Sequence, residues 1–453
     1  MVNIDLLNKY NVPTPRYTSY PTVPFWKDAI NRTHWTECLQ QRTTSSAMNE
    51  GISLYIHLPF CESLCTYCGC NKRITTNHSV EDEYIDAVLK EWDIYLSLMG
   101  EKPLVREIHL GGGTPTFFSP QNLERLLTAI FSKSRIHPDH EFSIEGHPNN
   151  TTLEHLQTLY ALGFRRISFG VQDNDPEVQR IINRIQPFRN VQRVTEQSRE
   201  LGYKSVNFDL IYGLPGQTQA SIEKTVMRCI SLNPDRIAFY SYAHVPWTSK
   251  GQRLFDENDL PGPQEKMQLY HHSKLLFQAY GYEDIGMDHF AMPHDELYKA
   301  RLEGRLHRNF MGYTTQKTSM LIGLGVSSIS DLGNAYAQNR KTIADYYQRI
   351  KLGALPVEKG YFLSDEDIDF KKYILEISCL GHTQFMPWHM ESLRRWSFPQ
   401  LEDLAADGLI EWDDEKLLVT DLGRNFIRNI CKAFDLHLAR KEGTAEKLFS
   451  NAI

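Results

Sequence analysis

The sequence predicts an α/β protein built on a parallel sheet, and three observations carry that expectation. Short runs rich in β-branched and aromatic residues recur between longer amphipathic stretches. Helix-start residues stand where several of those stretches begin. A chain of 453 residues is long enough for one barrel-sized core and one or two smaller units. Strands alternating with helices demand parallel βαβ units with right-handed crossovers. Periodicity alone leaves two solutions, an open barrel of six repeats or a doubly wound sheet.

The elements follow in chain order. Residues 1–50 read as an arm followed by a helical piece, because Pro13, Pro15, Pro21 and Pro24 fix φ and remove donors. The segment NVPTPRYTSYPTVP should therefore run extended. Strands are expected over 53–58, 105–110, 141–145, 166–171, 206–212 and 236–242. Between them, Ser119 with Pro120 and Asp175 with Pro176 read as cap and first-turn proline, and Thr151 with Glu154 as a capping box. These units and an extension fill 51–360. From 361 to 453 the pattern turns mainly helical, and a helix, two short strands and a helix after Ser397 resemble a winged-helix unit.

Composition excludes several classes. Net charge is −7 and no long basic run exists, so nucleic acid is not an expected partner. The winged-helix-like stretch from Ser397 to Gly423 holds eight acidic residues and one lysine, a field that opposes phosphate and favours a packing or lid role. No apolar stretch approaches the roughly 18 residues that a membrane span needs. MVNIDLLNKY has no basic segment followed by an apolar one, so a cytoplasmic protein with reduced thiols is expected.

Four of the eight cysteines lie in CESLCTYCGC, as Cys61, Cys65, Cys68 and Cys70. A structural zinc knuckle would need a second Cys/His pair further on, and none follows. A chain of this length needs no disulfides to build a core. The C-x3-C-x2-C spacing of Cys61, Cys65 and Cys68 suits a cubane iron-sulfur cluster with one iron left without a protein thiolate. A fourth thiolate would fill the open position, so Cys70 is expected near the cluster but not on it.

Parallel barrels gather chemistry at the C-terminal ends of their strands. The cysteine loop follows the first strand. Gly111-Gly112-Gly113-Thr114-Pro115 follows the second, where absent side chains let a ligand meet backbone groups; a tight turn explains one glycine more readily than three. Glu145, Gln172 and Asp209 lie on the third, fourth and fifth strands. Each singly reads as a helix cap, but together they suit ribose hydroxyls or an ammonium. Arg184 suits a carboxylate, against a solvated surface arginine.

With aromatic Tyr67 before its last cysteine, the motif resembles that of radical S-adenosylmethionine (SAM) enzymes. The resemblance implies an open TIM-like (β/α)6 barrel, a [4Fe-4S] cluster on Cys61, Cys65 and Cys68, and SAM on the open iron. Further segments resemble the oxygen-independent coproporphyrinogen III oxidase family: PRYTSYPT, YIHLPFCESLCTYCGCNK, HLGGGTPT, GVQDNDPEVQRIINRIQP, NFDLIYGLPGQT, YAHVP, GYTTQ and IGLGVSSI. They cover most of residues 15 to 330. The resemblance implies oxidative decarboxylation of two propionates of coproporphyrinogen III to the vinyls of protoporphyrinogen IX, with two SAM molecules side by side.

By position, Tyr55, Tyr67, Gly112, Glu145, Ala243 and Ile329 would serve the cluster-bound SAM, and Gly113, Thr114, Gln172, Arg184 and Asp209 the second. Tyr67 would stack on adenine or simply pack. Arg16 and Tyr313 are the candidates for the tetra-anionic tetrapyrrole. An electron donor such as flavodoxin or ferredoxin and a monomeric state are also expected. One departure stands out: Glu145 is followed by Gly146, His147 and Pro148, where the family commonly has Ile-Asp-Pro. His147 reads as a hydrogen-bond partner or as a plain turn histidine. The competing readings are another tetrapyrrole-acting radical SAM enzyme, for haem degradation or methyl transfer, and a haem chaperone. Chaperone relatives typically lack both the PRYTSYPT arm and the last cysteine of CGC, and this chain has both.

Overall fold

All six expected strands form, in a computed structural model that describes residues 4–44, 50–441 and 449–452. They are β1 (Ile52–Leu58), β2 (Leu104–Gly112), β3 (Arg135–Gly146), β4 (Arg166–Gln172), β5 (Ser205–Tyr212) and β6 (Arg236–Ser241). Each pairs in parallel with the next in chain order. That order decides between the two solutions left open above. A doubly wound sheet reverses its strand order at a switch point, whereas an unbroken sequence of neighbours is that of a barrel.

The sheet does not close on itself. Beyond β6 lies the antiparallel hairpin β7 (Glu283–Gly286) and β8 (His289–Ala291). Beyond β1 lie β9 (Leu321–Leu324), which is parallel to it, and then β10 (Ile329–Asp331), β11 (Ala335–Asn339) and β12 (Val357–Phe362), all antiparallel. These give one twelve-stranded sheet.

Side chains alternate along a strand, and here the alternation sorts chemistry. Leu54, Ile56 and Leu58 on β1, Ile108 and Leu110 on β2, and Phe142 and Ile144 on β3 are buried in the main core. The helices Val80–Met99 and Pro120–Ser132 add Val88, Trp92, Leu123, Leu126 and Leu127 to that core. The opposite face carries Tyr55, His57, His109, Ser143, Glu145, Ser168, Asn207 and Asp209. The barrel interior is thus polar and leads to the strand C-termini.

Local signals mostly place the helices. Ser119 Oγ accepts from the amide of Asn122, and Asp175 accepts from Glu177 and Val178. The third start falls one residue later than the sequence suggests: Thr152, with His155, forms the capping box. Thr151 is not available, because its hydroxyl donates to the carbonyl of His147, 2.9 Å away, and Glu154 accepts from Gln121. The arm runs without helix from Asn11 to Thr22, then makes a 3-10 turn at Val23–Phe25 that takes in Pro24, which the expectation treated as extended. In the C-terminal region the helix Phe398–Ala406, strands Ile410–Trp412 and Lys416–Val419 and the helix Ile427–Lys432 follow as read. A third strand, His382–Gln384, joins their sheet.

Candidate active site at the barrel mouth

Glycine is required where β2 meets the cysteine loop. A Cβ on Gly113 would lie 2.6 Å from the Pro59 carbonyl carbon and oxygen, and one on Gly112, whose φ is +115°, 2.7 Å from the His57 ring. This close approach lets the Gly113 amide donate to Leu58 and the Thr114 amide to Phe60, at 2.9 and 3.0 Å. The Thr114 hydroxyl then reaches the Cys61 sulfur at 3.3 Å.

Two neighbouring cavities open here. The first, of about 520 Å³, is lined by Cys61, Cys65, Cys68, Tyr67, Gly113, Thr114, His147, Gln172, Arg184 and Asp209. The second, of about 580 Å³, is lined by Tyr55, His57, Ile329 and Gln338. Cys70, Gly112 and Glu145 face both. Below them a third, of about 260 Å³, runs into the polar barrel interior past Asp209, Tyr240, His289 and Tyr313.

The structure therefore brings together nearly every residue singled out from sequence. Tyr67 combines both of its readings, lining the first cavity and packing against Val178, Ile182, Ile211, Leu214 and Tyr242. Ala243 sits just behind, where the Gln252 amide donates to the carbonyls of Tyr67 and Ala243. Tyr313 spends its hydroxyl on the Ser378 carbonyl at 2.8 Å and offers its ring. Arg16 lies apart from these three cavities, with Nη2 donating to the Ser241 carbonyl at the end of β6.

Electrostatics differ between the two carboxylates. Burial pushes the Glu145 carboxyl up, but the hydrogen bond and charge of His109, the Gly112 amide and His57 outweigh it and hold Glu145 below its ordinary value. His109 Nε2 and the Gly112 amide each stand 3.3 Å from its oxygens. Asp209 goes the other way: burial raises it to about 6, against the Ser168 hydroxyl and with Glu145 adding to the rise. Below the carboxyl's unfolded pKa of about 4 it costs the fold nothing, and stability falls as pH climbs from there through about 6. Asp209→Asn should remove up to about 3 kcal/mol of that penalty. Thermal melts of the unliganded protein at pH 4.5 and 7.5 should differ more for the wild type than for the variant.

The donors fit a cubane with one open iron and a zwitterionic nucleoside ligand. All the cysteines are free of disulfides, and among the described residues no three His, Cys, Asp or Glu side chains converge as they would around a single ion. Besides Thr114 on Cys61, Arg184 Nη1 reaches the Cys65 sulfur at 3.6 Å; such donors stabilise a reduced, negatively charged cluster. Arg184 Nε and Gln338 Oε1 are buried with no partner, one in the wall of each cavity, and such orphaned groups call for a ligand.

Gln338 escaped the sequence reading, since no motif surrounds it. It is the register partner of Ile329 across β10 and β11, and cross-strand partners share a face. Its amide nitrogen must face the Ser327 carbonyl, which can only accept, so its oxygen is the orphan. His147 also faces the first cavity, kept neutral by burial and then by the Arg184 charge.

The radical SAM superfamily model matches residues 55–229. Oxygen-independent coproporphyrinogen III oxidase of Escherichia coli K12 is 38% identical over 450 residues, covering 97% of this chain and 96% of that protein. The enzyme of the same name from Helicobacter pylori J99 is 38% identical, covering 100% and 99%. Among solved structures, coproporphyrinogen III oxidase (HemN) from E. coli, described as a radical SAM enzyme, superposes with a TM-score of 0.90 at 37% identity, over 97% of this chain and 99% of that one. Identity of this size over the whole length, on the same fold, places the chain in the oxygen-independent coproporphyrinogen III oxidase family of radical SAM proteins.

Proposed function

We propose that the barrel mouth converts two propionates of coproporphyrinogen III to the vinyls of protoporphyrinogen IX without oxygen. The observation that carries this is the meeting of three unbridged thiols with two contiguous cavities, in a chain alike throughout to enzymes of that name. Held by those thiols, a [4Fe-4S] cluster with SAM would supply the one-electron chemistry that removes a hydrogen atom from a propionate β-carbon. Each propionate would then lose CO2 and pass one electron to an external one-electron acceptor, leaving the vinyl group.

The chain's own part is to hold and orient. Cys61, Cys65 and Cys68 hold the cluster, and Cys70, facing both cavities, stays off it. In the cavity of Tyr55 and Ile329, Glu145 is a fixed anion for an ammonium, with Gly112 beside it. In the neighbouring cavity, Gly113, Thr114 and Gln172 serve a second SAM, Arg184 takes a carboxylate and Asp209 takes hydroxyls or an ammonium. The two cavities sharing one wall support side-by-side occupancy. Tyr67 and Ala243 back the cluster loop. Tyr313, in the third cavity, and Arg16, at the end of β6, are assigned to the tetrapyrrole. A donor such as flavodoxin or ferredoxin, a monomeric enzyme and the absence of nucleic-acid and membrane partners complete the reading; among the described residues no helix is long and apolar enough to cross a membrane.

Gln338→Leu should weaken SAM binding by about five- to thirtyfold, the cost of about 1–2 kcal/mol for a lost hydrogen bond from a buried ligand group. Equilibrium dialysis of the reconstituted protein reads this directly. The reaction itself is tested by anaerobic incubation with SAM, a reductant and coproporphyrinogen III. Protoporphyrinogen IX is the expected product. Cleaved SAM with unchanged tetrapyrrole would reject the named reaction.

A further inference from the structure

One wall of the second cavity is held from behind by a buried acid. Ser327, Ser328 and Ile329 line that cavity with Gln338. Glu91, on the helix Val80–Met99, is fully buried and lines neither that cavity nor its two neighbours. Its Oε2 accepts from the Gly325 amide at 2.7 Å and from the Tyr346 hydroxyl at 2.6 Å, and its Oε1 accepts from the Asn339 side-chain nitrogen at 2.6 Å. The same nitrogen also donates to the Gly325 carbonyl at 2.9 Å and to the Ser328 hydroxyl oxygen at 3.0 Å. Two turns earlier on the helix, the Tyr84 hydroxyl accepts from the Val326 amide at 2.9 Å and donates to the His57 carbonyl at 2.7 Å. One helix thus grips the loop and, through His57, the end of β1 that leads into the cysteines.

The grip fixes an otherwise unfavourable backbone. Gly325 has a φ of +95°, and a Cβ there would lie 2.6 Å from both the His57 carbonyl oxygen and the Tyr84 hydroxyl. Ser327 stands at +58°, a left-handed conformation that a residue with a side chain keeps only where its surroundings over-determine it. The Ser327 carbonyl accepts from the Gln338 amide, and that bond is what leaves the Gln338 oxygen orphaned. Packing alone does not call for an acid at position 91, since apolar side chains of like volume hold buried elements together as well or better. Burial pushes the Glu91 carboxyl up to about 7, against the bonds from Tyr346, Gly325 and Asn339. The acid is therefore kept against its own desolvation, and two of its three bonds end on the segment that builds the cavity wall.

We propose that Glu91 is a positioning residue for the cluster-bound SAM: through Gly325 and Asn339 it sets the place of Ser327, Ser328 and Ile329, and through Ser327 the direction of the Gln338 oxygen. It acts through these groups and does not itself meet the ligand. An amide cannot replace it. Gly325 and Asn339 both donate through nitrogen, one to each carboxylate oxygen, so in Glu91→Gln the new amide nitrogen must face one of those donors. The inference rests on the reading above that this cavity holds SAM.

The test compares Glu91→Gln with Glu107→Gln in cluster-reconstituted full-length protein. Glu107, on β2 below the mouth, is also buried and accepts from the Ser53 and Thr314 hydroxyls at 2.7 Å, but it lines none of these cavities. SAM binding is read by equilibrium dialysis well below the melting temperature of each protein, and amide hydrogen exchange over residues 325–328 is read in the metal-free form. Glu91→Gln should raise the Kd for SAM about tenfold with iron content unchanged, and should speed exchange over that loop. Tyr346→Phe, which removes one donor and keeps the ring, should raise Kd about threefold. Glu107→Gln should leave Kd at the wild-type value whatever it does to the melting temperature. SAM bound equally tightly by wild type and Glu91→Gln overturns the proposal, since the acid would then serve stability alone. Equal weakening by Glu107→Gln overturns it too, because any buried acid would then have the same effect. Should Glu91→Gln fail to fold, wild-type affinity in Tyr346→Phe is the contrary result. Wild-type protein that takes up no SAM rejects the cofactor reading itself, and this role with it.

Discussion

Cys65→Ser is expected to abolish protoporphyrinogen formation, with a loss on the order of a thousandfold or more, equal to at least about 4 kcal/mol of barrier. Three thiolates are all that hold the cluster, so a missing one leaves two irons uncapped. The side chain is half-exposed in its loop and belongs to none of the hydrophobic clusters. The fold should therefore survive, with a melting temperature of the metal-free protein within a few degrees of wild type. Iron and sulfide content, not stability, should fall. Cys70→Ser is the contrast: it should keep the full iron complement, because that thiol faces the space left for SAM. A fourfold-cysteinyl cluster would instead lose iron in both variants.

Gly113→Ala is expected to damage the barrel mouth severely without touching a thiol. Its added methyl would meet the Pro59 carbonyl carbon and oxygen at 2.6 Å, which are backbone atoms and cannot swing aside. One strand end must shift, at a cost of about 2–4 kcal/mol. The shift pulls on the bonds from Gly113 and Thr114 to Leu58 and Phe60, and with them on Cys61. We expect a melting temperature several degrees lower and SAM affinity about a hundredfold weaker, from calorimetry and equilibrium dialysis. Gly100→Ala is the control for backbone strain alone, since its φ is +75° and nothing lies within 4 Å of the new methyl. It should cost about 1 kcal/mol of stability and leave SAM binding intact.

What was legible in the chain follows from how local each signal is. Strands such as ISLYIHL are buried along nearly their whole length, so their apolar runs announce them. Ser119 and Asp175 cap through their own side chains, and the sequence shows that directly. The capping box slipped because two threonines stand side by side and only the tertiary bond from Thr151 to His147 chooses between them. The start of β3, RIHPDH, was missed because it is charged and largely solvent-facing. Strands β7 to β11 are short, and although β7–β8 and β10–β11 are local pairs, they join the sheet through β8 on β6 and β9 on β1, which no local pattern records.

The site divides along the same line. Cysteine spacing, the glycine run and the residues at strand ends were readable because barrel geometry fixes where strand ends meet. The partition into two cavities and the orphaned oxygen of Gln338 depend on segments hundreds of residues apart. His147, noted only as a departure, proves to face the cluster cavity beside Arg184.

The central claim is a cluster whose one iron without a cysteine is open to SAM, and electron paramagnetic resonance of the reduced, reconstituted protein tests it most directly. Four irons and four sulfides per chain, and a spectrum whose g-values shift when SAM is added, are the predicted result. A spectrum indifferent to SAM, or zinc bound at Cys61, Cys65 and Cys68, would contradict the account.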